Sequence, residues 1–231
     1  MPPRARRNPS AHEVRLAARA TVAALEYYGL TCCLFGSAAC SLWGMSHRTP
    51  NDVDMIVYTD IEREELKEMI LAVDRRFYLV PSRKPGATYQ VMHFALTGAG
   101  GRRCKVDILT PGVLDIPDMP STRIHYSRRF PGLPILPFVV LILLKLKGWT
   151  DHRDSDEPHY RAKRPADEDD INELLELIPD TEEDEDGSLL DVEWPDWIPD
   201  RFVEDSAARI SEYVEVFPET MSAWRQIGFQ D

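Results

Sequence analysis

The stretch from Thr31 to Tyr58, TCCLFGSAACSLWGMSHRTPNDVDMIVY, decides the fold. It opens on a short apolar run, Thr31–Phe35, that reads as a buried strand. Gly36-Ser37 breaks the run, and Ala38–Trp43 has the composition of a short helix. After a loop containing Pro50, Asp52–Tyr58 is β-branched and alternating, hence a second strand. Strand side chains alternate faces, so Asp52 and Asp54 share one face, about 7 Å apart. A glycine at a strand-to-helix turn lets the backbone come close to a phosphate. Helix-N-terminal N–H groups then face the anion, and the Ser37 hydroxyl offers one more donor.

Working outward, Ser10 is placed to cap a helix from His12 to Tyr28 that stops at Gly29. Downstream, Ile61–Val73 repeats apolar residues at helical spacing, and Phe77–Val80 reads as a short strand. Thr88–Leu96 and Arg103–Leu109 flank Gly98-Ala99-Gly100-Gly101, the pattern of a hairpin. The second of these strands carries Asp107, which a neighbouring strand position would set beside Asp52 and Asp54. Three carboxylates on one sheet face repel one another unless a cation neutralises them. Mg²⁺ is the natural occupant, with Mn²⁺ in its place, because it takes oxygen ligands and keeps positions open for phosphate oxygens. Two such ions, roughly 3.5–4 Å apart, can activate an attacking hydroxyl and stabilise a leaving pyrophosphate.

Character changes after Pro111. A proline-rich crossing leads into an apolar helix from about Phe138 to Trp149, then a basic, disordered-looking loop. A helix follows, opening at Pro165-Ala166-Asp167, and a last helix lies near Ser206–Phe217. The expected layout is an α/β (α+β) fold: a mixed sheet with flanking helices over 1–115, then a proline-rich crossing and C-terminal helical unit over 116–231. Thr181–Gly187 (TEEDEDG) is too polar to bury and reads as a loop. The net charge of −12 is concentrated: Asp180–Asp205 holds 12 acidic residues and one Arg, which leaves the rest of the chain near neutral.

Cys32, Cys33, Cys40 and Cys104 form no Cys-x-x-Cys pair and are expected to be reduced, buried thiols of an intracellular, cytoplasmic protein. No signal peptide is expected from the basic start, and Phe138–Leu144 falls far short of the roughly 20 residues a bilayer span requires.

The strand, Gly36-Ser37, helix, Asp52-Val53-Asp54 and downstream Asp107 together resemble the DNA polymerase β-like nucleotidyltransferase superfamily. The resemblance covers roughly residues 31–110. It implies transfer of a nucleoside monophosphate from a nucleoside triphosphate, Mg²⁺ at Asp52, Asp54 and Asp107 as catalytic residues, and nucleotide binding at Gly36 and Ser37. A narrower likeness is to the abortive-infection toxin type. It is carried by Arg48-Thr49, the helical Lys145, Arg153, and Asp167-x-x-Asp170-Ile171-x-x-Leu174-Leu175. It implies nucleotide contacts at Arg48 and Lys145, with Lys147 as the alternative lysine, and a functional Asp at 170 or 167. The acidic segment and the proline-rich crossing suggest a eukaryotic, fungal relative whose acceptor need not be the same.

Each residue also has a plainer reading. Lys145 can snorkel to the surface, and Asp167 and Asp170 can simply favour the dipole of a helix start. Arg123, His125, Arg128 and Arg129, with Arg102, Arg103 and Lys105, are either an RNA-facing rim or a solvated loop. Trp149, Trp194 and Trp197 read as packing residues. The expected function is a Mg²⁺-dependent nucleotidyltransferase acting on a small molecule, a protein or a tRNA end, with RNA contacts through Arg123, Arg128 and Arg129. The alternatives are a catalytically degenerate nucleotide-binding module and a toxin-like interaction protein with the same fold.

Overall fold

Ser10 caps the first helix as its sequence requires. Its hydroxyl accepts from the Glu13 amide, while the Glu13 carboxylate takes the Ser10 amide in return, which closes a capping box on α1 (Ala11–Glu26). The computed structural model describes residues 8–84, 86–97, 101–127, 129–178 and 197–229. Along the chain follow β1 (Cys32–Phe35), α2 (Gly36–Trp43), β2 (Asp52–Val57), α3 (Arg63–Val73), β3 (Phe77–Pro81), β4 (Gln90–Ala95) and β5 (Arg103–Leu109). Two short strands come next, β6 (His125–Tyr126) and β7 (Pro134–Ile135). The helices α4 (Phe138–Arg153), α5 (Pro158–Arg161), α6 (Arg164–Glu176), α7 (Asp200–Val216) and α8 (Met221–Gln226) complete the chain.

The strands form one mixed sheet in the order β3-β4-β5-β2-β1-β7-β6. β2 lies antiparallel to β1 and parallel to β5, which is in turn antiparallel to β4. Alternation divides the central strands into two faces. Val53 and Met55 of β2, with Cys104, Val106 and Ile108 of β5, are buried on the face where α1 and α3 pack. Asp52, Asp54, Lys105 and Asp107 take the intervening positions on the opposite face.

α4 is apolar almost all round because it packs against α2, α6 and α7 at once. Trp149 and Tyr213 meet edge to face at 4.9 Å where α4 meets α7. All four cysteines are buried and free. No helix among the described residues is long and apolar enough to cross a membrane.

Three elements differ from the sequence expectation. The proline-rich crossing contains β6 and β7, and Ile135 pairs in parallel with Leu34, extending the sheet beyond β1. Two-residue strands have no periodicity to read, so only packing reveals them. The basic segment after Trp149 is not an open loop: α4 runs on to Arg153, and α5 forms one further turn opening at Pro158. α8 was not anticipated; it buries Trp224. Thr181–Gly187 and Trp194 lie outside the described residues.

Removing the cap should cost α1 the stabilisation typical of such motifs. Ser10→Ala is expected to lower stability by about 1 kcal/mol, read as a lower urea midpoint with an unchanged slope.

Candidate active site

Parallel pairing of β2 with β5 sets Asp54 level with Asp107 and Asp52 level with Lys105. The Asp-x-Asp pair and the third carboxylate therefore share one face on adjacent strands. Burial, then Asp52 and Asp107, push the Asp54 carboxyl up to about 7 from its ordinary 3.8. Burial raises Asp52 as well, against the pull of Lys105. Such shifts are what carboxylates show when their mutual repulsion is only partly answered. Lys105 supplies the partial answer, its ammonium paired with Asp107 Oδ2.

Gly36 begins α2 directly at the end of β1, where Phe35 pairs with Asp54. Its φ is +62°, and a Cβ there would overlap Asp54 Oδ2 and stand 3.1 Å from the carboxyl carbon. The position needs glycine twice over, for its left-handed backbone and for the closeness of the carboxylate. Ser37 follows in the first turn of α2 and is almost fully buried.

The opposite wall comes from the helical half. Asp170 on α6 is fully buried and meets three cationic or ionisable groups. Arg48 grips it with two hydrogen bonds, one of 2.6 Å from Nε; Lys145 Nζ lies 2.6 Å away and His47 Nε2 3.1 Å away. Burial pushes the Asp170 carboxyl up, but Arg48 and Lys145 outweigh it and hold the pKa below the ordinary value. One turn earlier, Asp167 takes Lys145 at 3.3 Å and His152 Nδ1 at 2.6 Å. One turn later, Glu173 accepts from the amides of Ser46 and His47 and also pairs with the His47 ring. These bonds, opposing its desolvation, bring Glu173 down to about 2. Asp167, Asp170 and Glu173 thus line one stripe of α6: Asp167 and Asp170 bind α4, while Asp170 and Glu173 hold the loop that enters β2.

Asp167 does lie in the first turn of α6, where a carboxylate favours the dipole, but Asp170 lies a turn further in. Asp167 also pairs with side chains of α4, and Asp170 with α4 and with the loop before β2. Lys145 neither snorkels nor stands free, because its anion is supplied by this same chain. Lys147 points elsewhere, to Asp151 at 2.6 Å and Asp115 at 3.6 Å. Arg153 braces α7 through Glu212 and lies over Trp149. Arg102 is bound to Glu13 of α1, behind the sheet, and so leaves the proposed basic rim. Arg129 lies over Phe130, with Arg15 5.1 Å from the same ring, and His125 stacks on Trp43 at 4.2 Å. Arg128 lies outside the described residues.

The sequence reading did not single out His47, His152, Glu173, His93 or Lys163. His93 stands level with Lys105 on β4 and stacks on Tyr78 of β3. The Tyr78–His93–Lys105–Asp52 row therefore crosses four strands on the site face. Lys163 stands four residues before Asp167 on the α6 stripe, and its charge bears on Asp52. Only the row had a signal in the sequence, in the alternation of β4 and β5.

All three carboxylates offer oxygen donors from one face, which suits a hard divalent cation. As the side chains stand, no three His, Cys, Asp or Glu among the described residues converge into a ready-made metal site. Asp107 is turned to Lys105 instead.

The chain is similar in structure to an antigenic nucleotidyltransferase-like protein from Paracoccidioides brasiliensis, with a TM-score of 0.65, 14% identity and 94% of each chain covered. The chain shares the fold of that nucleotidyltransferase-like protein. Lower likenesses are to ANT(2'')-Ia in complex with adenylyl-2''-tobramycin (TM-score 0.44, 12% identity, 86% of this chain and 98% of that one). JHP933 from Helicobacter pylori stands at a TM-score of 0.43 and 17% identity, over 93% of this chain and 97% of that one. The chain matches no protein-family model, and no curated protein resembles it in sequence.

Gly36→Ala should destabilise by roughly 1–3 kcal/mol, and Asp54→Ala in the same chain should recover part of the loss, as a denaturant double-mutant cycle will show. Asp170→Ala should cost about 3–5 kcal/mol, because it strips Arg48 of its carboxylate and leaves a buried Lys145 with Asp167 alone. Lys145→Met should also destabilise, because it removes the cation that the buried Asp167 and Asp170 share.

Asp54 binds its proton more tightly folded than unfolded, so in EDTA its contribution to stability falls as pH rises from 3.8 to about 7 and is flat above. Melting curves across that window should lose this fall in Asp54→Asn.

Proposed function

We propose that this protein transfers a nucleoside monophosphate from a nucleoside triphosphate to an acceptor, with Mg²⁺ held by Asp52, Asp54 and Asp107. The observation that carries the reading is the register of β2 on β5. It gathers three carboxylates on one face, and the charges of Arg48 and Lys145 bear on Asp52 and Asp54 respectively. A face that is negative below and cationic above suits a metal–triphosphate complex, whose own charges alternate in the same way.

The roles divide along those two walls. Mg²⁺, when bound, would neutralise phosphate charge and polarise the phosphorus under attack. Asp52 and Asp54 are the residues to hold it on the β2 side, and Asp107 on the β5 side, nearest an entering acceptor. Gly36 leaves the backbone at the start of α2 bare, so that a phosphate can approach the first N–H groups of the helix. Arg48, oriented by Asp170, is the cation to meet the phosphate tail, while Asp170 itself is buried and acts as a positioning residue. In the step itself, a bond forms between the acceptor oxygen and the α-phosphorus. The bond from that phosphorus to the bridging oxygen breaks, and pyrophosphate leaves with the electron pair. The acceptor proton passes to solvent.

The test is incubation of the pure protein with each α-labelled nucleoside triphosphate, Mg²⁺ and total cell lysate. Label should enter an acceptor with the wild type and fall at least roughly 100-fold with Asp52→Ala/Asp54→Ala. Equal labelling by both proteins, or none by either, would contradict the reading. The chemical nature of the labelled fraction identifies the acceptor as small molecule, protein or RNA.

A further inference from the structure

We propose that Lys105 is a built-in counter-cation that keeps the carboxylate centre from taking up a divalent metal until a nucleoside triphosphate arrives. The inference rests on the transferase reading and adds to it an order of loading.

Lys105 stands level with Asp52 and two residues before Asp107, so it rises from the same sheet face as all three carboxylates. Its ammonium is paired with Asp107 Oδ2, and its charge also bears on Asp52 and Asp54. It therefore occupies, with one positive charge, the ground where a divalent cation would gain most. Among the described residues, its other flank offers no competing anion: level with it on β4 is His93, buried and stacked on Tyr78, and two residues earlier on β5 stands Arg103. The carboxylates are what hold the ammonium in place.

A metal ion arriving alone must expel that ammonium from Asp107 and leave it unpaired beside a new double positive charge, which like-charge repulsion opposes. A metal arriving with a triphosphate faces a different exchange. Phosphate oxygens accept the ammonium while the metal takes the carboxylate, so both cations keep an anion and no covalent bond changes. The two ligands then favour each other reciprocally, each raising the affinity of the other by the same factor. The arrangement also accounts for Asp107 being turned aside in a centre whose other features suit a metal.

The test reads metal binding without turnover. Free Mn²⁺ is followed by its electron paramagnetic resonance signal as the full chain is titrated, alone and with the α,β-methylene analogue of ATP. Asp52→Ala/Asp54→Ala serves as the baseline, because the acidic stretch between Asp180 and Asp205 will take some Mn²⁺ of its own. Wild-type protein is expected to bind Mn²⁺ weakly alone and about tenfold or more tighter with the analogue. Lys105→Met should bind Mn²⁺ alone about tenfold tighter than wild type, with little further gain from the analogue, while Lys105→Arg keeps the wild-type pattern. Lys105→Gln, which stays polar, guards against a folding defect in the Met variant. If both neutral variants bind Mn²⁺ alone as weakly as wild type, while wild type still gains from the analogue, this inference is overturned and the transferase reading stands. If wild type never exceeds the double-aspartate baseline, with or without the analogue, both are overturned.

Discussion

Negative charge gathered on one face of a parallel strand pair is the constraint around which the rest of this molecule is arranged. β2 and β5 run side by side in a register that sets Asp54 against Asp107, with Asp52 two residues behind. The alternation that turns these carboxylates to one face turns Val53, Met55, Val106 and Ile108 into the core. A slip of one residue would bury the acids and expose the core. The apolar packing under α1 and α3 therefore holds the charged face in place. Burial chiefly, and then Asp52 and Asp107, push Asp54 up to about 7.

The answer to that charge comes from two directions. Within the sheet, Lys105 sits among the carboxylates. From outside the sheet, the charges of Arg48 in the loop before β2 and of Lys145 on α4 bear on Asp52 and Asp54, and both cations are held by Asp170. Two cations and a fully buried carboxylate are a costly combination unless every member has a partner. Asp167, His152, His47 and Glu173 supply the remaining partners. The result ties α6 to the loop that opens β2, so the helical half fixes the entry to the carboxylate strand. Apolar α4, lying between α2 and α6, carries Lys145 into the same network.

Much of this was legible in the sequence because it depends on local rules. Ser10 announces α1, alternation announces β2 and β5, and Gly36 marks the turn from β1 into α2. The illegible parts depend on partners far apart in the chain. Arg48 and Asp170 are separated by 122 residues, and nothing in the spacing of Asp167 and Asp170 distinguishes an ion-pair stripe from a favourable helix start. β6 and β7 are too short to show a period and exist because Ile135 finds Leu34. Lys105 was visible as a basic residue near Asp107, but its alignment with Asp52 emerges only from the pairing of the strands.

In the function proposed above, the face shared by Asp52, Asp54 and Asp107 receives a metal–triphosphate complex. A crystal structure of the full chain with Mn²⁺ and a non-hydrolysable nucleoside triphosphate is the decisive test, since the anomalous signal locates the metal independently of the fold. Mn²⁺ is expected on Asp52 and Asp54, with the phosphates between that face and Arg48, and Lys105 turned from Asp107 toward a phosphate oxygen. A triphosphate seated elsewhere, or Mn²⁺ at a site that leaves the Asp107–Lys105 pair and the Asp-x-Asp carboxylates untouched, would contradict it.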